Sequence, residues 1–179
     1  AAGTALARYN PDGTLDPTFN ATGKVPTDFT ARALAIQSDG KIVTAGSSAA
    51  NGSYDFALAR YNPDGTLDPT FNGTGKVLTD FSGSGSGDGA LSMAIQSDGK
   101  IVAAGSSDAS GSIDFALARY RSSGRLDRRF GANGKVLTDF TRSFDDAQAL
   151  AIQWDGKIVA AGASRAIGTS DFALARYLP

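Results

Sequence analysis

Carboxylates, guanidinium groups and amines are the side chains with which this 179-residue chain could do chemistry. Aspartate supplies all 18 acidic residues, lysine and arginine together number 17, and histidine, cysteine and glutamate are absent. Without histidine and cysteine there is no common general base, no thiol nucleophile and no usual zinc or copper ligand, and a Ser-His-Asp triad is excluded. What remains is oxygen-donor ion binding, carboxylate acid–base chemistry and anion recognition. Turns such as Asn62-Pro-Asp-Gly-Thr-Leu-Asp68 carry the oxygen donors that calcium takes. Their spacing departs from the EF-hand pattern, however, and a later copy has Arg121 and Ser123 in place of Asn62 and Asp64. No metal site and no cofactor is expected on this reading. The glycine-rich run Gly83 to Gly89 has neither a P-loop lysine nor a following helix, so it reads as a flexible loop rather than a phosphate cradle.

The strongest local departure from neutrality is basic. Arg119, Arg121, Arg125, Arg128, Arg129, Lys135 and Arg142 fall within one stretch of a chain whose formal charge is −1. That overall charge argues against a general polyanion binder and leaves room for a local patch. Arg121, Arg125, Arg128 and Arg129 are the candidate ligand-binding residues, suited to acidic polysaccharide, lipid headgroups or a partner's carboxylates. The alternative is a solvated edge strand whose charges prevent sheet-to-sheet association. Trp154, the only tryptophan, stands at a turn where two other copies have Ser38 and Ser97; it is a candidate for stacking on a sugar, for an interface or for local packing.

These residues must be positioned by a repeat. The segment Phe56 to Phe71 recurs as Ala5 to Phe19 and Phe115 to Phe130, and begins again at Phe172; its arginines, Arg8, Arg60, Arg119 and Arg176, are spaced by 52, 59 and 57 residues. Each unit reads as four strands. The first is Ala90 to Gln96, the second Lys100 to Gly105 after a Ser-Asp-Gly turn, the third Phe115 to Tyr120, and the fourth lies around Leu126 and Phe130. Gly134 to Phe140 either lengthens that fourth strand or bridges to the next unit. Abundant aspartate and glycine suit strands and tight turns, no stretch has helical periodicity, and units of this size match the blades of a β-propeller.

The repeat also explains many charges. A three-residue hairpin loop over Pro63-Asp64-Gly65 puts Arg60 opposite Asp68, and the same arithmetic pairs Arg8 with Asp16 and Arg119 with Asp127. These six residues are expected to be structural ion pairs. Asp39, Asp98 and Asp155 are read as turn residues, and Asp55, Asp114 and Asp171 as scaffold before the Phe-Ala-Leu strand. Only Asp88, Asp108, Asp145 and Asp146 are copy-specific and able to serve a propeller carbohydrate hydrolase or lyase. That enzymatic reading is the alternative, and no catalytic residue is assigned.

The run F-A-L-A-R-Y-N-P-D-G-T-L-D-P-T-F, followed by D-F and A-I-Q-S-D-G-K-I-V-A-A-G, resembles the bacterial delta-sixty repeat, a propeller repeat without an assigned activity, and more distantly the blades of NHL-type propellers. The resemblance implies a propeller in a bacterial surface or secreted protein. The expectation is thus an all-β fold of four-stranded antiparallel blades in a single repeat domain spanning 1–179, with units of approximately 1–55, 56–114 and 115–171 and a final strand at 172–179. Its expected role is a non-catalytic scaffold or binding module contacting protein or glycan through rim loops, without nucleic acid and without a membrane span. Because the chain opens and stops inside repeats it reads as a piece of something longer, and three units leave open either an arc or a six-bladed ring closed by a homodimer.

Overall fold

The computed structural model describes residues 5–81, 87–140, 142, 144–165 and 169–179. Among them there is no helix, and every strand belongs to one of four antiparallel sheets. Strands β1 (Ala5–Ala7) and β2 (Lys24–Pro26) form a pair. Strands β3 (Thr30–Ile36), β4 (Ile42–Ser48), β5 (Asp55–Tyr61) and β6 (Lys76–Thr79) form one complete blade in chain order. Strands β7 (Gly89–Ile95), β8 (Ile101–Ser107), β9 (Asp114–Tyr120) and β10 (Lys135–Thr138) form a second, and β11 (Phe144–Ile152), β12 (Ile158–Arg165) and β13 (Asp171–Tyr177) a three-stranded third. The sequence unit 56–114 therefore spans most of the outer half of one blade and the inner half of the next.

Alternation along the third strand stacks the blades. In β5, Phe56 and Leu58 point toward the following blade and pack with Met93, Ile101 and Tyr120. Ala57, Ala59 and Tyr61 point the other way and meet Leu6, Phe19 and Val25. Period two in the sequence thus gives one face of large side chains and one of mostly small ones. Strand β9 repeats the arrangement with Phe115 and Leu117 against Ala147, Ile158 and Ala160. Both β5 and β9 are buried along their whole length. Strand β13 has the identical sequence, yet Phe172 is 77% exposed where Phe56 and Phe115 are fully buried.

Each first strand carries a bulge, at Ala31/Ala33, Ala90/Ser92 and Ala147/Ala149, and each bulge faces a glycine of the second strand: Gly46, Gly105 or Gly162. The bulge pushes a carbonyl oxygen so close that a β-carbon would lie 1.8–1.9 Å from it. Glycine is required there by space.

The fourth strand corrects the sequence reading. It lies at Lys135–Thr138 and pairs with Phe115–Ala118, not around Leu126 and Phe130. Leu126 makes only an isolated bridge to Tyr120. The next residues turn instead, with the Phe130 N–H bonded to the Asp127 carbonyl at 2.9 Å and the Gly134 N–H to the Phe130 carbonyl at 2.8 Å. Positive φ at Gly131, Asn133 and Gly134 reverses the chain before the true fourth strand begins. Among the described residues no helix is long and apolar enough to cross a membrane.

Candidate functional site

Antiparallel order gives each blade two rims. One carries the hairpin between the first two strands and the long turn between the third and fourth; the other carries the link between the second and third strands and the crossing to the next blade. The arginines lie on the first rim and a set of aspartates on the second.

On the first rim, Arg60 Nε donates to Asp68 Oδ2 at 2.8 Å, and both residues are buried. The guanidinium also stacks over the Phe71 ring at 4.8 Å, bonds the Thr70 hydroxyl at 3.1 Å and reaches the Ser122 carbonyl of the following blade at 2.6 Å. The pair is therefore a staple between blades. Arg8–Asp16 repeats it at 2.8 Å in a more open setting, with Arg8 reaching the Pro63 carbonyl of the next unit, and Arg119–Asp127 repeats the ion pair itself, buried at 3.1 Å. Lys41 adds a second cation to Asp68 at 3.1 Å. Burial acts to raise the Asp68 carboxyl, but the hydroxyl and N–H of Thr70, Lys41 and Arg60 outweigh it and hold the group well below the usual carboxylate range.

The third copy of this turn alters the chemistry. Arg121, Arg125 and Arg128 line a cleft of about 600 Å³ together with Asn72, Thr79 and the apolar Val77, Leu78 and Leu126, and no carboxylate is among its lining residues. The equivalent cleft one blade earlier is lined by Asn20, Thr27, Asp28, Thr66 and Lys76. Register shows the exchange directly, since Arg125 replaces Thr66, Arg121 replaces Asn62 and Arg128 replaces Pro69. All four candidate arginines, Arg129 included, are exposed, and none has a carboxylate within 4.0 Å among the described residues.

The arginines divide between two clefts. Arg121 borders both, Arg125 and Arg128 lie in the first, and Arg129 lies in a neighbouring one with Gln96, Lys100, Arg119 and the carboxylates of Asp98 and Asp127. The segment does not sort them as strand faces because residues 128–130 form a turn. Of the other basic residues of the stretch, Lys135 Nζ donates to the Asp80 carbonyl at 2.8 Å, and Arg142 uses its backbone N–H to bond Asp139 Oδ1 on the opposite rim. Trp154 is 98% exposed at the β11–β12 turn and lines neither cleft.

On the opposite rim the structure gathers residues that the sequence reading had kept apart. Asp55, Asp80 and Asp88 offer carboxylate oxygens within 4.8 Å of one another, and Asp114, Asp139 and Asp145 do the same at the next junction. Asp114 and Asp145 are wholly buried. Two carboxylates at that separation repel by roughly 3 kcal/mol even at an effective dielectric of about 20. The signal available in the sequence was an aspartate before the Phe-Ala-Leu strand and another in the Thr-Asp-Phe that follows the fourth strand, 25 residues later in both copies. Of the other copy-specific aspartates, Asp108 accepts the Gly87 N–H at 2.8 Å and Asp146 accepts from Gln148 at 3.0 Å. Asp88 and Asp145 thus belong to successive junctions rather than to one cavity. Within the glycine-rich run, residues 82–86 lie outside the described residues.

A family model described as a domain of unknown function (DUF5122) beta-propeller matches residues 2–19, 37–71, 96–130 and 153–179. The chain belongs to the DUF5122 beta-propeller family. No curated protein matches it. The segments matched by the DUF5122 model contain the second and third strands and the Arg–Asp staple, together with Arg121, Arg125, Arg128 and Arg129. Asp80, Asp88, Asp139 and Asp145 lie between the matched segments. In this DUF5122 chain the stacking scaffold falls within the family pattern, and most of the acidic junction falls outside it.

Proposed function

We propose that this propeller is a non-catalytic binding module that holds an acidic glycan on the arginine-bearing rim of the β7–β10 blade. The observation that carries the reading is the recharged cleft: where one blade has Asn62, Thr66 and Pro69, the next has Arg121, Arg125 and Arg128 in the same turn without acidic partners. A scaffold gains nothing from facing Arg121 with Arg125 across a hairpin whose backbone N–H···O bond is 2.8 Å. A carboxylate or sulfate group seated between them removes that repulsion and accepts charge-assisted hydrogen bonds. Asn72 borders the same cleft and suits neutral sugar hydroxyls. The likeness of Phe56–Phe71 to the bacterial delta-sixty repeat supports placing the module on a bacterial surface or among secreted proteins.

Binding of an acidic polysaccharide, a neutral polysaccharide, anionic vesicles and an acidic peptide to the wild type and to Arg121→Glu/Arg125→Glu tests this. Selective retention of the acidic polysaccharide, weakened more than tenfold by the reversal and by salt, is the expected result. Equal binding before and after the reversal sinks the reading, and binding of only the peptide or the vesicles replaces the glycan by that ligand. The accompanying proposal, that two chains associate to close a ring, is checked by light scattering: a dimer mass supports it and a monomer mass refutes it.

A further inference from the structure

We propose that the two described blade junctions on the rim opposite the arginines bind calcium, one through Asp55, Asp80 and Asp88 and the next through Asp114, Asp139 and Asp145. The inference is independent of the arginine clefts. In each set the carboxylates come from three separate segments: the start of the third strand, the exit of the fourth and the entry to the following blade. Folding thus concentrates three negative charges at one point. No lysine or arginine lies within 4.0 Å of Asp55, Asp114 or Asp145 among the described residues. Their named partners are neutral: Asn51 and Ser53 donate to Asp55, and Ser110 and Ser112 to Asp114.

A second observation points to a ligand. Asp145 is fully buried, its Oδ2 accepts the Phe140 N–H at 2.9 Å, and its Oδ1 has no hydrogen-bond donor in the protein. A buried carboxylate oxygen without a donor is costly unless an ion compensates it. At the other junction the Asp88 Oδ2 accepts the Phe81 N–H at 2.8 Å, the counterpart of the Phe140–Asp145 bond.

The preceding junction provides an internal contrast. There Phe29 stands at the position of Asp88, and Asp28, the counterpart of Asp80, is neutralised by Lys76 at 2.6 Å. At the Asp55 junction the counterpart lysine, Lys135, gives its amine to the Asp80 and Phe81 carbonyl oxygens at 2.8 and 3.4 Å instead. At the junction after that, the buried Asp114 and Asp145 have no lysine or arginine of the described residues to offset them.

The donors select the ion. An all-oxygen set suits calcium or magnesium rather than a softer metal. Calcium accepts irregular sets of carboxylate oxygens, whereas magnesium demands near-ideal octahedral geometry and keeps several waters, so carboxylates gathered from three separate segments favour calcium. Water and backbone carbonyls complete the coordination of such a site. The ion would tie two blades together at the point where the chain crosses between them.

Calorimetric titration of the chelator-treated 179-residue chain with calcium chloride, paired with thermal unfolding, provides the test. Two sites per chain are expected, with the unfolding midpoint raised on the order of 10 °C once free calcium exceeds Kd about 100-fold. Asp145→Asn reduces the stoichiometry from two to one, and Asp88→Asn/Asp145→Asn to none. Because these changes relieve repulsion, the calcium-free variants unfold no earlier than the calcium-free wild type, which separates loss of an ion from loss of the fold. Absence of heat and of a midpoint shift at about 10 mM calcium overturns the proposal, as does a double variant that still binds two ions. An equal response to magnesium overturns the assignment to calcium.

Discussion

Arg129 occupies in the third turn the position that Thr70 occupies in the second, and the exchange undoes a hydrogen-bonded clasp. Thr70 donates its N–H and hydroxyl to Asp68 Oδ1 at 3.0 and 2.7 Å while accepting from Arg60. Arg129 offers only its N–H to Asp127, at 3.4 Å. The substitution Arg129→Thr is expected to stabilise the chain by about 1 kcal/mol, the usual worth of a recovered hydrogen bond. The same change should weaken binding of an acidic polysaccharide. Denaturant melts and binding assays on one variant check both halves; a gain in stability with no loss of binding would remove Arg129 from the site.

The buried staple should also set the acid limit of stability. Asp68→Ala leaves Arg60 and Lys41 without their shared carboxylate, and removing one partner of a buried pair costs about 3 kcal/mol at neutral pH. Asp16→Ala, in the open copy, should cost clearly less. The folded Asp68 carboxyl titrates below its unfolded value, so its stabilisation is fully present above about pH 4 and is lost as pH falls further toward the folded value. The difference between wild type and Asp68→Ala should therefore be constant from pH 5 to 7 and shrink below about pH 4. A difference that persists unchanged at pH 2 would mean that packing, not charge, is responsible.

Gly105→Ala should be among the most damaging single-methyl changes. The new β-carbon would lie 1.9 Å from the Gly89 carbonyl oxygen, which is backbone and cannot swing away. A loss of about 3 kcal/mol is expected, at the upper end for overpacking. Gly52→Ala serves as a control, since nothing lies within 4 Å of its position and only its φ of 93° is strained. Equal losses for the two would assign the cost of Gly105→Ala to something other than the bulge carbonyl.

Trp154 reports on any partner of the third blade. Being 98% exposed, it should emit like free indole in water and be quenched by iodide at nearly the free rate. A ligand or second chain that covers the β11–β12 turn shifts the emission to the blue and protects it. Ligand binding confined to the arginine clefts leaves the spectrum unchanged.

The scaffold was largely legible in the sequence because it is local. A turn of Pro-Asp-Gly fixes its own register, so the opposition of Arg60 and Asp68 follows from counting residues, and the strict alternation of Phe56 to Tyr61 announces a two-faced strand. The position of the fourth strand was not legible, since Leu126 and Phe130 look like strand residues and serve as plugs: Leu126 bridges Tyr120, while Phe130 sits under the Arg119 guanidinium at 4.7 Å. The aspartate sets were hidden for a different reason. Asp114 and Asp139 are neighbours only because the third and fourth strands run antiparallel from opposite ends of a long turn, and Asp145 joins them only by crossing into another blade. Burial of the ion pairs was likewise invisible, because it depends on how the next unit stacks.

The third strand also gives the array a direction. The units of β5 and β9 offer Phe and Leu forward and Ala backward, and β13 carries the same residues, so these units accept one another as neighbours provided both face the same way. Modules of this kind are interchangeable parts, like coins in a roll stamped with heads and tails. Unequal recombination between near-identical repeats can lengthen or shorten such a chain without creating a mismatched seam, and a single copy is then free to acquire arginines while its siblings keep the stack intact.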